Sequence, residues 1–227
     1  MKNYDKVNTL LFDLDGTLIN SEREFYNSFY EVLLKNYKIT INEKMYKECE
    51  LDKNVTLLDT LRTKNKIIQD IPNDKIMEKV FSCYTQKFIE VITSNKTREN
   101  FECLKKLKSI GYTLGLVTTC QRKYLKMLIE TLNIQELFDC IISREDVKKL
   151  KPDCEAYLKA LELLGKRHEE VLVIEDSKRG IDAAINSGLK VIKVDEYTLV
   201  KFNDSRCLEL NSVEDFTEKL LDIKRCI

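Results

Sequence analysis

Five short stretches of the chain are apolar with little interruption: Val7–Phe12, Thr113–Val117, Cys140–Ile142, Val171–Ile174 and Lys190–Val194. Continuous rather than alternating hydrophobicity is the pattern of strands covered on both faces. Helical spacing separates the later runs. Asn100–Ile110 places Leu104, Leu107 and Ile110 on one stripe, with Gly111 suited to the C′ position. Lys123–Leu132 follows the second run. Asp153–Leu164 carries Tyr157, Leu158, Leu161 and Leu164 on one face, with Asp153 as a first-turn acid and Gly165 as terminator. Ile181–Ser187 is a shorter case, ending at Gly188. Alternating strands and helices imply right-handed crossovers and an α/β fold, a parallel sheet between two helical layers.

Residues 21–93 break that rhythm and read as four helices with no strand. Phe25, Phe29, Val32 and Leu33 line one face of the first; Ile76, Val80, Tyr84 and Phe88 line another. The expected organisation is therefore a sheet domain from 1–20 plus 94–227, interrupted by an all-helical domain, 21–93.

Composition narrows the classes. Lysine and arginine number 38, as do aspartate and glutamate, so net charge gives no pull toward nucleic acid or a membrane surface. No apolar run approaches the ~20 residues that span a bilayer, and no export signal opens the chain. The eight cysteines form no CxxC pair and read as small hydrophobes in a reducing cytoplasm. A zinc site is not expected with one histidine, His168, in a charged turn.

Two of the apolar runs end in acids. Leu10-Leu11-Phe12 leads into Asp13-Leu14-Asp15-Gly16-Thr17, and Val171–Ile174 leads into Glu175-Asp176-Ser177 with Gly180 close behind. Ligands of open parallel sheets sit beyond the carboxyl ends of the strands. If these two strands are neighbours, Asp13, Asp15, Glu175 and Asp176 converge there, and so many carboxylates call for a hard divalent cation such as Mg²⁺. An EF-hand is excluded, because the sixth loop position is Leu18 and a strand precedes the loop. The second run ends in Thr118-Thr119, where hydroxyls and free N–H groups at a helix start could grip phosphate. In Lys151-Pro152-Asp153, proline is expected to hold Lys151 extended and to open the next helix, aiming the ammonium.

Asp-x-Asp-Gly-Thr, then apolar-Thr, then Lys-Pro-Asp, then Glu-Asp-Ser-x-x-Gly-Ile resembles the four motifs of the haloacid dehalogenase superfamily. The branch that contains β-phosphoglucomutase and phosphoglycolate phosphatase is the most similar. The resemblance spans nearly the whole chain and implies a Rossmann-like core with an α-helical cap that moves over the site. It further implies that Asp13 attacks phosphorus, while Asp15 protonates the leaving oxygen and then activates water. Asp13, the backbone carbonyl of Asp15 and Asp176 would hold Mg²⁺, Glu175 would help through water, and Thr118 and Lys151, with Thr119 beside them, would bind the phosphoryl group.

The charges support such roles. A carboxylate approaching a phosphate dianion meets roughly 8 kcal/mol of repulsion at 4 Å and an effective dielectric of about 20, about six decades of rate. Mg²⁺ and Lys151 would offset it, so a variant lacking Lys151 should lose most activity while staying folded. Asp15 points to phosphoryl transfer rather than dehalogenation. The branch's phosphomutases usually carry a histidine where Phe25 stands, which favours hydrolysis over mutase chemistry. The expected protein is a monomeric, Mg²⁺-dependent phosphatase for a small phosphorylated metabolite; a non-catalytic phosphometabolite sensor is the alternative of another class. Lys53, Asn54 and Arg62 are the helical-domain residues that could reach a closed site, although their spacing also fits a solvated face.

Overall fold

A computed structural model describes residues 6–51, 57–64, 68–197 and 202–225. The chain divides into two compact units, Met1–Asn20 with Ile92–Ile227, and Ser21–Val91. The first unit contains strands β1 (Thr9–Phe12), β2 (Thr113–Val117), β3 (Cys140–Ile142), β4 (Val171–Glu175), β5 (Lys190–Val194) and β6 (Leu208–Leu210). Among the described residues they form one six-stranded sheet in the order β3-β2-β1-β4-β5-β6, parallel throughout. All five expected strands are present. The sixth lies at the edge with only Leu210 buried, so it carries no continuous apolar run.

The strands that end in acids are indeed central neighbours. Phe12 is in register with Ile174 of β4 on one side and Leu116 of β2 on the other. Every residue of β1 and β4 is buried, which is why both read as unbroken hydrophobic stretches.

The second unit holds, among the described residues, α1 (Ser21–Tyr37), α2 (Glu43–Leu51), α3 (Leu57–Lys64) and most of α4 (Asn73–Thr93). Its core is rich in aromatics. Phe25 stands edge-on to Phe29 and Tyr84, with ring centroids 5.7 and 5.3 Å apart, and tilts against Phe81. Ile76, Val80 and Phe88 are fully buried. The Arg62 guanidinium donates to the carbonyls of Ile68 and Ile71 and is engaged within this unit. Lys53 and Asn54 lie outside the described residues.

The remaining helices belong to the sheet unit: α5 (Asn95–Ser109), α6 (Arg122–Leu132), α7 (Glu155–Leu164), α8 (Lys178–Asn186) and α9 (Val213–Arg225). Helices α5 and α9 pack against each other, as do α7 and α8. On one face Phe216 of α9 meets Phe12 edge-on at 6.1 Å. On the other, Leu11, Val173 and Val191 pack with Tyr157, Ala160, Ile181 and Ala184. Helix α5 starts five residues before the apolar stripe suggests, because Ser94 caps it by accepting from the Thr97 N–H. Helix α7 starts later than expected: Lys151–Pro152 is a cis bond in a turn, and Cys154 is the N-cap. Pro152 therefore does not open that helix. Gly165 ends it in the left-handed region, at φ 60°.

No helix among the described residues is long and apolar enough to cross a membrane. The seven cysteines among them carry free thiols. His168 is exposed.

Candidate active site

The turn after β1 is tied at both ends. Asp13 N–H continues the ladder to Ile174 O at 3.0 Å, and the Leu18 and Gly16 N–H groups bond Leu14 O and Ile19 O at 2.8 and 2.9 Å. Gly16 turns the chain at φ 84°, and a Cβ there would fall on the Asp176 carboxylate. Thr17 Oγ1 donates to Asp176 Oδ1 at 2.9 Å. The Gly-Thr half of the first motif thus seats an acid from the end of β4.

Lys151 is 4% exposed, and its ammonium has all three donors engaged. It donates to Asp13 Oδ1 at 2.6 Å, Glu175 Oε1 at 2.7 Å and Val117 O at 2.8 Å. One side chain therefore joins the ends of β1, β2 and β4. Arg179 supports the turn from outside by donating to Lys151 O.

Glu175 is fully buried. Its Oε2 accepts from Asp176 N–H, Ser177 N–H and Ser177 Oγ, each at 3.0 Å, while Oε1 accepts from Lys151 and, at 3.4 Å, from the Tyr157 hydroxyl. Ser177 also caps α8 through the Gly180 N–H. A ligand oxygen from each of Asp13, Glu175 and Asp176 lies within 4.8 Å of the others. This oxygen set suits a hard divalent cation. Of the three, Glu175 has its lone pairs already committed.

Asp15 is half-buried beside Thr118, whose Oγ1 lies 3.4 Å from Asp15 Oδ2. The same hydroxyl accepts from Cys120 N–H, and the Thr118 N–H is taken by Ile142 O. Helix α6 begins only at Arg122, whose N–H is held by Glu145 Oε2. The expected supply of free N–H groups there is thus smaller than the sequence suggests, because Ile142 O of β3, the Thr118 hydroxyl and Glu145 take three of them. Thr119 is exposed, and among the described residues no hydrogen bond draws its side chain into the network.

Electrostatics follows from burial and crowding. Burial, with Glu175 and Asp15 adding to it, pushes the Asp13 carboxyl well above the usual range, even though Lys151 opposes the shift. Burial pulls the Lys151 ammonium down, but Asp13 and Glu175 outweigh it and hold it well above its ordinary value. Burial, then Asp15 and Asp13, keep the Cys120 thiol protonated. Asp13, Asp15, Thr118, Lys151, Glu175 and Asp176 are thus brought together. The sequence patterns gave no site role to Tyr157, a stripe residue of α7, or to Thr17, although Thr17 sits inside the first motif.

A parallel α/β sheet with an acidic cluster and a buried lysine at its carboxyl edge is the architecture of a phosphatase-type hydrolase. Residues 10–194 match the family of haloacid dehalogenase-like hydrolases, and the chain belongs to that family. It is 32% identical over 195 residues to pyrophosphatase PpaX of Bacillus mycoides, covering 83% of this chain and 84% of that one. In structure it is similar to β-phosphoglucomutase of Clostridium difficile, with a TM-score of 0.73, 22% identity and 96% of each chain covered. CbbY of Rhodobacter sphaeroides, solved in complex with phosphate, gives a TM-score of 0.72 at 19% identity, over 92% of this chain and 96% of that one.

Proposed function

We propose that this protein is a Mg²⁺-dependent phosphatase that hydrolyses small phosphoric esters or anhydrides through an aspartyl-phosphate on Asp13. The observation that carries the reading is Lys151 Nζ, held between Asp13 Oδ1 and Glu175 Oε1 with Asp176 beside them. Asp13, Asp176 and the backbone carbonyl of Asp15 would hold Mg²⁺, while Glu175, with its oxygens committed to five hydrogen bonds, would fix Lys151 beside them rather than help through water. Bound there, Mg²⁺ supplies the positive charge that relieves the crowded carboxylates and the incoming phosphate.

The residues then divide the work. Lys151 and the Thr118 hydroxyl grip phosphoryl oxygens and fix an in-line approach. Asp13 forms the O–P bond as the leaving oxygen departs, and Asp15 gives that oxygen its proton. In the second step Asp15 takes a proton from water as the water oxygen attacks phosphorus. The bond to Asp13 breaks, and inorganic phosphate leaves. Thr119 is exposed, so the phosphate contact is assigned to Thr118.

These core residues address only the phosphoryl group, so substrate choice is assigned to the helical unit. Pyrophosphate is the first substrate to test, since PpaX, to which the chain is similar, is named a pyrophosphatase. Phosphorylated sugars, phosphoglycolate and nucleotides come next. Hydrolysis is favoured over a phosphomutase because Phe25 packs among Phe29, Phe81 and Tyr84 and offers no titrating proton. Phosphate release from this panel with Mg²⁺, set against isomerisation of glucose phosphates, tests the assignment. Release from none of the panel would defeat it.

A further inference from the structure

We infer that Tyr157 is a positioning residue for phosphoryl transfer, fixing the lysine that grips phosphate; the inference rests on the function proposed above. Tyr157 lies in the first turn of α7 and is fully buried. A buried aromatic on an apolar stripe is ordinarily filler, and Tyr157 does pack in the core beside Ala160 and Val173. Two features separate it from filler. Its hydroxyl reaches Glu175 Oε1, the same oxygen that accepts from Lys151. Its ring centroid stands 4.9 Å from the Lys151 ammonium, within the range of a cation–π contact.

The hydroxyl can only be a donor to Glu175. Glu175 Oε1 is a carboxylate oxygen, so in this contact the phenol donates and the carboxylate accepts. Glu175 Oε2 is fixed by three donors from Asp176 and Ser177, which leaves Oε1 as the oxygen that holds the lysine. To bind a phosphoryl oxygen, Lys151 must release one of its three partners. Asp13 and Val117 O are the partners on the reacting side. The Glu175–Tyr157 side stays in place and sets where the ammonium points. Phenylalanine would keep the volume and the ring and lose only the hydroxyl.

Calorimetry on the full chain tests this, titrating Mg²⁺ alone and then inorganic phosphate at saturating Mg²⁺. Tyr157→Phe is expected to weaken phosphate binding about fivefold, the scale of one hydrogen bond. Its Mg²⁺ affinity should stay at the wild-type value, and its melting temperature should fall by no more than about 2–4 °C, the scale of one buried hydrogen bond. In a Lys151→Met background the same substitution should change phosphate affinity less than about twofold, because the lysine it acts through is gone. Unchanged phosphate affinity in Tyr157→Phe, equal weakening in both backgrounds, or weakened Mg²⁺ binding would each overturn the inference. If Lys151→Met cannot be assayed, the Tyr157→Phe titrations decide alone. Wild-type phosphate affinity in Lys151→Met would defeat the functional reading and this inference with it. A loss in Lys151→Met with none in Tyr157→Phe would defeat this inference only.

Discussion

The Glu175 carboxylate occupies the space a side chain on residue 180 would need, and Gly180 exists to leave it free. A Cβ on Gly180 would overlap Glu175 Oε1, Oε2 and their carbon. That carboxylate is held by five hydrogen bonds and holds Lys151 in turn, so it has nowhere to retreat.

Gly180→Ala is therefore expected to cost about 2 kcal/mol or more of stability. Activity should fall roughly 100-fold, as Lys151 shifts with its partner. Gly165→Ala is the control. Nothing lies within 4 Å of its Cβ position, and only the positive φ of 60° penalises it, by roughly 1 kcal/mol. Its activity should match wild type. Chemical denaturation and phosphate release on the two variants check the contrast.

Removing the lysine is expected to do more than abolish turnover. The sequence suggests a folded, inactive variant, but Lys151 neutralises two buried carboxylates, with Asp13 at 2.6 Å and Glu175 at 2.7 Å. Leaving them unpaired costs about 3–5 kcal/mol. Lys151→Met should thus unfold at lower denaturant in the absence of metal, and Mg²⁺ should restore part of the loss. A denaturation midpoint equal to wild type without metal would contradict the buried network.

Asp13 contributes to the pH dependence of the metal-free protein. Its folded value is raised above the ordinary 3.8, so the folded state holds the proton more tightly than the unfolded chain. Its contribution to stability is full below about 3.8 and is lost as pH rises through the elevated folded value. Mg²⁺ competes with that proton, so metal affinity should rise over the same span of pH. Melting temperatures across pH, with Mg²⁺ and with a chelator, check this; the two curves should diverge as pH rises. At the acid end, Arg206 holds Asp204 down to about 2. That contribution is lost as pH falls below the ordinary carboxylate range toward 2.

The central sheet was legible because β1, β2 and β4 are covered on both faces and carry nearly unbroken apolar runs, and β5 keeps Val191, Ile192 and Val194 buried around Lys193. Strand β6 was not, since two of its three residues are exposed. Helix α9 was not singled out, although Val213, Phe216 and Leu220 carry its buried stripe. The acids and Lys151 were legible as motif residues because chemistry restricts what can stand there. Their supporting contacts were not. That the Tyr157 hydroxyl meets Glu175 depends on how α7 packs on β2 and β3, and the two residues are 18 apart, which no local pattern encodes. Likewise the Thr118 N–H reads as free from the strand's end, until the neighbouring β3 supplies Ile142 O to take it.

The central claim is that Asp13 becomes phosphorylated during turnover. Rapid acid quench of the working enzyme with its best substrate and Mg²⁺, followed by mass spectrometry of the peptide containing Asp13, measures this directly. The account predicts a phosphorylated Asp13 in the wild-type protein, none in Asp13→Asn, and a fall in kcat for that variant of at least about a thousandfold. Turnover that survives Asp13→Asn, or a phosphoryl group found on another residue, would contradict it.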